Sequence, residues 1–510
     1  MSPPSTSYDD NSSHYVNVNV STSINKYDAV DELSDQVHTQ QSVQPLQINS
    51  NKLDTTSDHS PLLQHQSAIS PDDGELPTHS LNDAYSTVAV ADSSAPWYKK
   101  LWAYSGIGIM VAVGYTDPGN WATDLIGGSK FNYTLLFVIL LSNIAAIQLQ
   151  YLALKLGIAT ERDLAQSCKD QYSKQITIIL WILAEISIAA CDLAEVLGSA
   201  IALEMLFNIP LSIGCVITGL DVLLILLLES QHIRYLEFVV GFITCIIASC
   251  FTYELTQTNV IFGDVMSGFI PSIDLLTNTD KLLVSLSLLG ATVMPHNLYL
   301  HSSLIQTRSY ERTVSGKHEA IKYATIDSTL SLFIAFIINC MILVLSAAAF
   351  YGTSNSSAIN LTDAYQLLSP SLGSTAASTL FAVALLSSGQ NSTITGTLAG
   401  QIIIEGFLTF KMKPWLRRII TRGIAIVPAC IVAAVAGDTG VNTLLIISQL
   451  ILSLQLGFAV IPLVKFTSDS KLMTNEYVNS RITIFFGTFI SICIVCLNIF
   501  LVLMTITGNA

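Results

Sequence analysis

Two short stretches bring together residue types that apolar helices normally avoid. In Thr116-Asp117-Pro118-Gly119-Asn120 a carboxylate and a carboxamide flank a proline and a glycine, and in Ala291-Thr292-Val293-Met294-Pro295-His296-Asn297 a thioether and an imidazole flank a second proline. Proline removes a backbone donor and glycine adds freedom, so each stretch predicts a helix interrupted at that point. Carbonyls freed at bilayer depth are tolerated only where they line a cavity or bind something. Brought together, the two breaks offer the carboxylate of Asp117, the amide of Asn120, the carbonyl of Ala291, the thioether of Met294 and, one turn before Asp117, the carbonyl of Gly114. Oxygen ligands alone suit Mg²⁺ or Ca²⁺, whereas a soft thioether shifts the preference toward a first-row transition ion such as Mn²⁺, Fe²⁺ or Co²⁺.

A second constellation is Cys191-Asp192-Leu193-Ala194-Glu195, whose two acids stand three residues apart and share one helix face. No Lys or Arg occurs between 175 and 233, so no local base is expected to neutralise them. An unpaired carboxylate in hydrocarbon must be protonated or face water, and either state suits a proton relay. His296 and His301 are the imidazoles of the apolar segments and titrate in the right range to serve it; a structural histidine bonded to a backbone carbonyl is the bland alternative for each. Gln449 and Gln455 can offer an oxygen to a cargo or hydrogen-bond between helices. Glu185 and Asp221 either line the route or satisfy neighbours, and the polar run Ser387, Ser388, Gln390, Asn391 and Thr393 has no role assignable from spacing. The Cys493 and Cys496 pair has the CxxC form, but it sits in an apolar run and is expected to pack.

These residues need helices to carry them, and the composition supplies helices of one kind. The chain has 510 residues, 12% of them charged, and a mean hydropathy of +0.54, which excludes a soluble protein; a net charge of −14 excludes a nucleic-acid partner. Residues 1–96, rich in Ser, Asn, Asp, Gln and Thr, are expected to be a disordered tail without a cleavable signal peptide. Residues 97–510 form the transmembrane part. A span requires about 20 mostly apolar residues, and eleven segments qualify, near 104–127, 132–156, 176–205, 210–229, 235–254, 282–306, 324–350, 375–410, 419–436, 441–464 and 482–506. With the tail in the cytosol, 17 of the Lys and Arg residues of the loops fall on the cytosolic side and only Lys130 and Lys281 outside, the asymmetry expected of a correct register. The same topology turns outward the two N-glycosylation acceptors at Asn355 and Asn360. The first and sixth spans each open a group of five, the pattern of two inverted repeats with discontinuous helices meeting at the midplane.

Asp117-Pro118-Gly119-Asn120, the run from Met294 to Ser302 and Asp192-Leu193-Ala194-Glu195-Val196-Leu197-Gly198 resemble the natural resistance-associated macrophage protein (Nramp) family of proton-coupled divalent metal transporters, over roughly residues 97–506. The continuation Asn297-Leu298-Tyr299-Leu300-His301-Ser302 and the stretch Gly157 to Gln166 look most like its bacterial proton-dependent manganese branch. The resemblance implies an all-α, LeuT-like membrane fold of two inverted five-helix repeats plus an eleventh helix, with no enzymatic activity and no resident cofactor. It implies import of Mn²⁺ or Fe²⁺, with Co²⁺, Cd²⁺ and Zn²⁺ as further cargoes, together with protons. The implied metal ligands are Asp117, Asn120, Ala291 and Met294, joined by a tenth-helix glutamine that maps to Gln449 with Gln455 as rival. The implied proton pathway runs over Asp117, Asp192, Glu195 and His296, with His301 near it, and continues to Arg308. The long polar tail departs from the bacterial pattern and points to a eukaryotic plasma membrane or endomembrane, with Leu62 and Leu63 in the form of a dileucine signal for a sorting adaptor. Two other functions compete: a sodium-coupled amino-acid transporter of the same architecture, which the Asp/Met pairing suits poorly, and an intramembrane metalloenzyme, which lacks the HExxH spacing.

Overall fold

A chain this apolar must satisfy its backbone internally, which helices do within each segment. The computed structural model describes residues 88–90, 94–220, 232–353, 360–374, 376–408 and 414–506, all in one unit, Asp72–Ala510. Leu62, Leu63, Asp221 and Asn355 lie outside the described residues.

A short helix α1 (Trp97–Tyr104) precedes the first expected span, which is two helices rather than one: α2 (Ile107–Ala112) and α3 (Pro118–Phe131), with a 3₁₀ turn over Val113–Tyr115 between them. The sixth divides in the same way into α9 (Thr279–Thr292) and α10 (Pro295–Leu304). Pro118 and Pro295 each open the second half, a position where the missing N–H leaves nothing unsatisfied and the fixed φ favours the helix.

The intervening elements are α4 (Leu136–Thr160), α5 (Leu164–Gln171), α6 (Lys174–Phe207), α7 (Leu211–Gly219) and α8 (Ile233–Thr256). After the second break come α11 (Val314–Phe350), α12 (Leu361–Leu372) and α13 (Ala377–Leu408). The ninth and tenth spans, α14 (Ile420–Gly437) and α15 (Gly440–Ser468), turn at Gly437, whose φ is +56°. The last, α16 (Arg481–Ile506), packs on α15, α9 and α4.

Eight helices among the described residues are long and apolar enough to cross a bilayer, against eleven expected segments. The break leaves neither half of the first span long enough, and α3 runs on with α4 as Pro118–Thr160. The fourth is described only over α7. The eighth, α13, carries the polar run from Ser387 to Thr393 and is not among the eight.

Two apolar clusters flank the breaks. One includes Met110, Tyr299 and Phe407; the other is built on Trp121, whose ring lies 4.7 Å from Phe251 and 5.5 Å from Phe381. Cys191, Met294 and Leu452 make a small separate cluster. Within the stretch expected to lack structure, Val88–Ala89 forms a strand, β1, paired in parallel with β2 (Arg308–Ser309).

Candidate metal and proton site

The two prolines explain why this place in the fold holds bare oxygen. In a continuous helix the carbonyl of residue i accepts from the N–H of residue i+4. Gly114 lies four residues before Pro118 and Ala291 four before Pro295, so each proline withdraws the donor its carbonyl would have used. One side chain serves both carbonyls: the Asn120 Nδ2 group is 3.0 Å from the Ala291 oxygen and 3.4 Å from the Gly114 oxygen. The same NH₂ group donates to Asp117 Oδ1 at 2.7 Å, an atom that also accepts from the Asn120 backbone N–H at 2.9 Å and so caps α3. Asn120 thus joins the two interrupted helices through three oxygens.

Three side-chain oxygens around the break are left over. Asp117 Oδ2, Asn120 Oδ1 and Gln449 Oε1 are buried and have no hydrogen-bond partner in the protein. Gln449 lies against Gly119, where an added Cβ would come within 1.8 Å of its Nε2, so only glycine permits this approach. Gln455 is nearly two turns further along α15, also buried, and lies beside Tyr299; Gln449, of the two, reaches the first break. Met294, fully buried, caps α10 three residues after Ala291 and packs on Cys191. Asp117, Asn120, Ala291, Gly114 and Gln449 therefore converge, with the Met294 sulfur at the adjoining end of α10. Among the described residues no group of three or more His, Cys, Asp and Glu side chains makes a metal site.

The surroundings hold the first break open. Trp121 Nε1 donates to the Thr116 carbonyl at 3.0 Å, and Ser388 Oγ donates to the same oxygen. Asn339 Nδ2 donates to the Tyr115 carbonyl at 2.7 Å. The polar eighth span, without a role from spacing, here binds the break and, through Asn391 Nδ2 at 3.1 Å from Thr244 Oγ1, ties α13 to α8.

The acid pair on α6 is not left without a base, and this corrects the expectation drawn from its own segment. Arg422, on α14 and far away in sequence, places Nη2 3.2 Å from Glu195 Oε2 and Nη1 3.8 Å from Asp192 Oδ1. It is buried at 3% exposure, although the topology assigned it to a cytosolic loop. Glu195 Oε1 also accepts from Cys191 Sγ at 3.5 Å, and that sulfur is 3.8 Å from His296 Nε2. A chain of polar atoms thus runs from His296, two residues from Met294, through Cys191 and Glu195 to Arg422. Sequence reasoning named Cys191 without giving it a role and missed Arg422. Cysteine reads as packing in any apolar run, and a base two hundred residues downstream gives no local signal.

His301 and Arg308 belong elsewhere. His301 Nδ1 lies 2.9 Å from Gln150 Oε1, and Gln150 Nε2 donates to Tyr115 Oη at 3.0 Å, a link from α10 through α4 to the first break. Its partner is a side-chain amide, not the backbone carbonyl of the bland alternative. Arg308, with no exposed surface, donates to the Ala103 carbonyl at 2.8 Å, to Thr307 Oγ1 at 3.0 Å, to the Ser105 carbonyl at 3.2 Å and to Glu237 Oε1 at 2.6 Å. Arg234 holds the other Glu237 oxygen at 3.1 Å and the Trp102 carbonyl at 2.9 Å. Arg308 is thus a clamp on the end of α1, and Arg422, not Arg308, is the arginine that meets the acid pair. Asn360, the described sequon, caps α12 by accepting from the Asp363 N–H at 2.8 Å.

A family model described as natural resistance-associated macrophage protein-like matches residues 108–504. Proteins named divalent metal cation transporter MntH are 54% identical in Listeria innocua, over 84% of this chain and 95% of theirs, and 51% identical in Nostoc, over 84% and 97%. A manganese transporter of Eremococcus coleocola superposes with a TM-score of 0.77 at 39% identity, covering 82% of this chain and 90% of that one. Mhp1, a nucleobase-cation-symport-1 transporter, matches at a TM-score of 0.54 and 14% identity, a likeness of fold alone. With a family model spanning most of the transmembrane part and relatives more than half identical, both helix breaks and the acid pair sit in a LeuT-like transporter fold, and the chain belongs to the Nramp family.

Proposed function

We propose that this protein moves Mn²⁺, and with it Fe²⁺ and related divalent transition ions such as Co²⁺, Cd²⁺ and Zn²⁺, into the cytosol by symport with protons. One observation carries the proposal: a single amide, Asn120, bonds oxygens from both interrupted helices while Asp117 Oδ2, Asn120 Oδ1 and Gln449 Oε1 stay unsatisfied around it. The Asn120 NH₂ group has two protons for three acceptors and sits where a cation would collect the same oxygens. Rotation of that amide about its last torsion turns Oδ1 inward, and the ion then replaces the NH₂ group among Asp117, Ala291 and Gly114, with Met294 supplying the soft ligand that Ca²⁺ and Mg²⁺ cannot use well.

A carboxylate that ligates a metal must be deprotonated, so metal arrival and proton departure are linked at Asp117. The released proton has acceptors in line at His296, Glu195 and Asp192. Arg422, within reach of both acids, puts a fixed positive charge at the far end of that line. The names of the MntH relatives and of the Eremococcus transporter support the choice of metal. The basic residues gathered in the loops of one side support a cytosolic tail, and the sequons at Asn355 and Asn360 support a eukaryotic plasma membrane or endomembrane, with Leu62 and Leu63 addressing a sorting adaptor.

The test is metal-dependent acidification in liposomes holding the purified protein. Mn²⁺ outside should acidify the lumen of vesicles whose protein faces inward with the tail, and Asp117→Ala should abolish both the Mn²⁺ and the proton signal. Mn²⁺ uptake without acidification would refute the coupling, and uptake surviving Asp117→Ala would refute the site.

A further inference from the structure

The seam between α15 and α16 is open. A groove of about 460 Å³, within the range of about 300–1,000 Å³ typical of ligand pockets, runs along it on the outside of the bundle, far from the helix breaks. Its walls are Ile461 and Val464 of α15 and Ile484, Ile492 and Val495 of α16, with Lys465 and Ser468 at one end. α15 ends at Ser468 and α16 begins at Arg481, so the polar end of the groove is where the two helices leave the hydrocarbon. From Ile484 to Val495 the groove follows α16 for about 16 Å at about 1.5 Å per residue. One leaflet of a bilayer core is about 15 Å deep. The groove is as tall as a leaflet and charged only at the interface.

The charge at that end has no acidic partner among the described residues. Lys465, exposed, has its ammonium 4.8 Å from the Tyr172 ring centroid, and neither it nor Lys471 nor Arg481 makes an ion pair among the described residues. The acids in the same connection are Asp469, which caps the Lys471 N–H at 2.8 Å, and Glu476. Three bases face two acids beside an apolar channel of leaflet length. That combination, an anionic head on the lysine and an acyl chain along the isoleucines and valines, describes one class of ligand.

We propose that the α15–α16 groove is a binding site for an anionic phospholipid, its phosphate on Lys465 and Ser468 and one acyl chain between the helices. Lysine at a membrane interface attracts anionic lipid modestly, and the fitted chain makes that attraction site-specific. α16 lies outside the two repeats and packs mostly on α15, the helix of Gln449, and also on α9, the helix of Ala291, so the lipid braces the accessory helix against helices that reach the proposed metal site.

The test is thermal unfolding of the full-length protein in detergent with added dioleoylphosphatidylglycerol or dioleoylphosphatidylcholine. The glycerol lipid should raise the melting temperature above the choline lipid. Lys465→Gln should remove most of that difference, and Val495→Trp, which fills the groove without touching a charge, should remove it as well while leaving the melting temperature in the choline lipid unchanged. Lys322→Gln, a control on an exposed loop-proximal base, should leave the difference intact, and sn-glycerol 3-phosphate, the head without chains, should give no shift. Equal stabilisation by the two lipids would overturn the site, and so would a full difference persisting in Lys465→Gln or in Val495→Trp, because either outcome means that general surface charge is being read.

Discussion

The proposed metal cage and the Arg308 clamp are both polar clusters inside the apolar bundle, and they are built on opposite terms. In the clamp each donor has an acceptor: Arg308 meets three neutral oxygens and Glu237, and Arg234 takes the second Glu237 oxygen. In the cage acceptors outnumber donors, with Asp117 Oδ2, Asn120 Oδ1 and Gln449 Oε1 left over. A buried acceptor without a donor costs about 1–3 kcal/mol, and more when it is charged. A fold keeps that cost where a cation will repay it and removes it where the structure must simply hold. The difference separates a binding site from a lock when both are clusters of polar side chains inside an apolar bundle.

The largest effect that tests the contrast is Asp117→Asn. The substitution keeps an oxygen for the α3 cap and removes the charge, so Mn²⁺ uptake in liposomes should fall to background while the melting temperature stays level or rises. A drop in stability comparable to the loss of transport would mean that Asp117 is part of a satisfied structural network after all. The clamp should respond the opposite way. Glu237→Leu leaves Arg308, with no exposed surface, hydrogen-bonded to neutral oxygens only, with Asp327 a remaining charge near it, and breaking a buried pair in this manner costs about 3–5 kcal/mol. The double variant Glu237→Leu with Arg308→Met removes both charges and should regain a large part of that loss in chemical denaturation, since the two sites are in contact and non-additive. Additive losses would show that the pair is not the unit.

Much of the cage was readable before any coordinates because proline and glycine act on the backbone of their own segment: the breaks at Pro118 and Pro295, and the carbonyls they free, follow from local chemistry. The spans followed from hydropathy, and the tenth-helix glutamine only from the family resemblance, which left Gln455 as its rival. What escaped was everything decided by distant partners. Arg422 meets Asp192 and Glu195 from more than two hundred residues away, so the acids looked unpaired. Arg308 carried a base in the right region of the chain, but the turn after α10 directs it to α1 and Glu237. Ser388 and Asn391 read as anomalies in an apolar run until their acceptors, a broken-helix carbonyl and a threonine on α8, came within reach. Even the α1 clamp and the β1–β2 contact, where Val88–Ala89 pairs with the very residues that carry Arg308, leave no trace in periodicity.

A smaller effect sharpens the account of the cage itself. Met294 is the one member whose value lies in kind rather than number, because it is uncharged, fully buried and already packed on Cys191 and Leu452. Removing its sulfur leaves Asp117, Asn120, Ala291, Gly114 and Gln449, an all-oxygen set of the type that hard cations accept. Met294→Ala should therefore keep a fraction of Mn²⁺ transport, lower Cd²⁺ transport more, and admit Ca²⁺, with the Mn²⁺ over Ca²⁺ preference falling by about tenfold, equivalent to about 1.4 kcal/mol. Competition assays of Mn²⁺ uptake against Ca²⁺ read this directly. A preference that survives intact would locate selectivity in the oxygen geometry around Asn120, and the thioether would then be a packing residue like its neighbour Leu452.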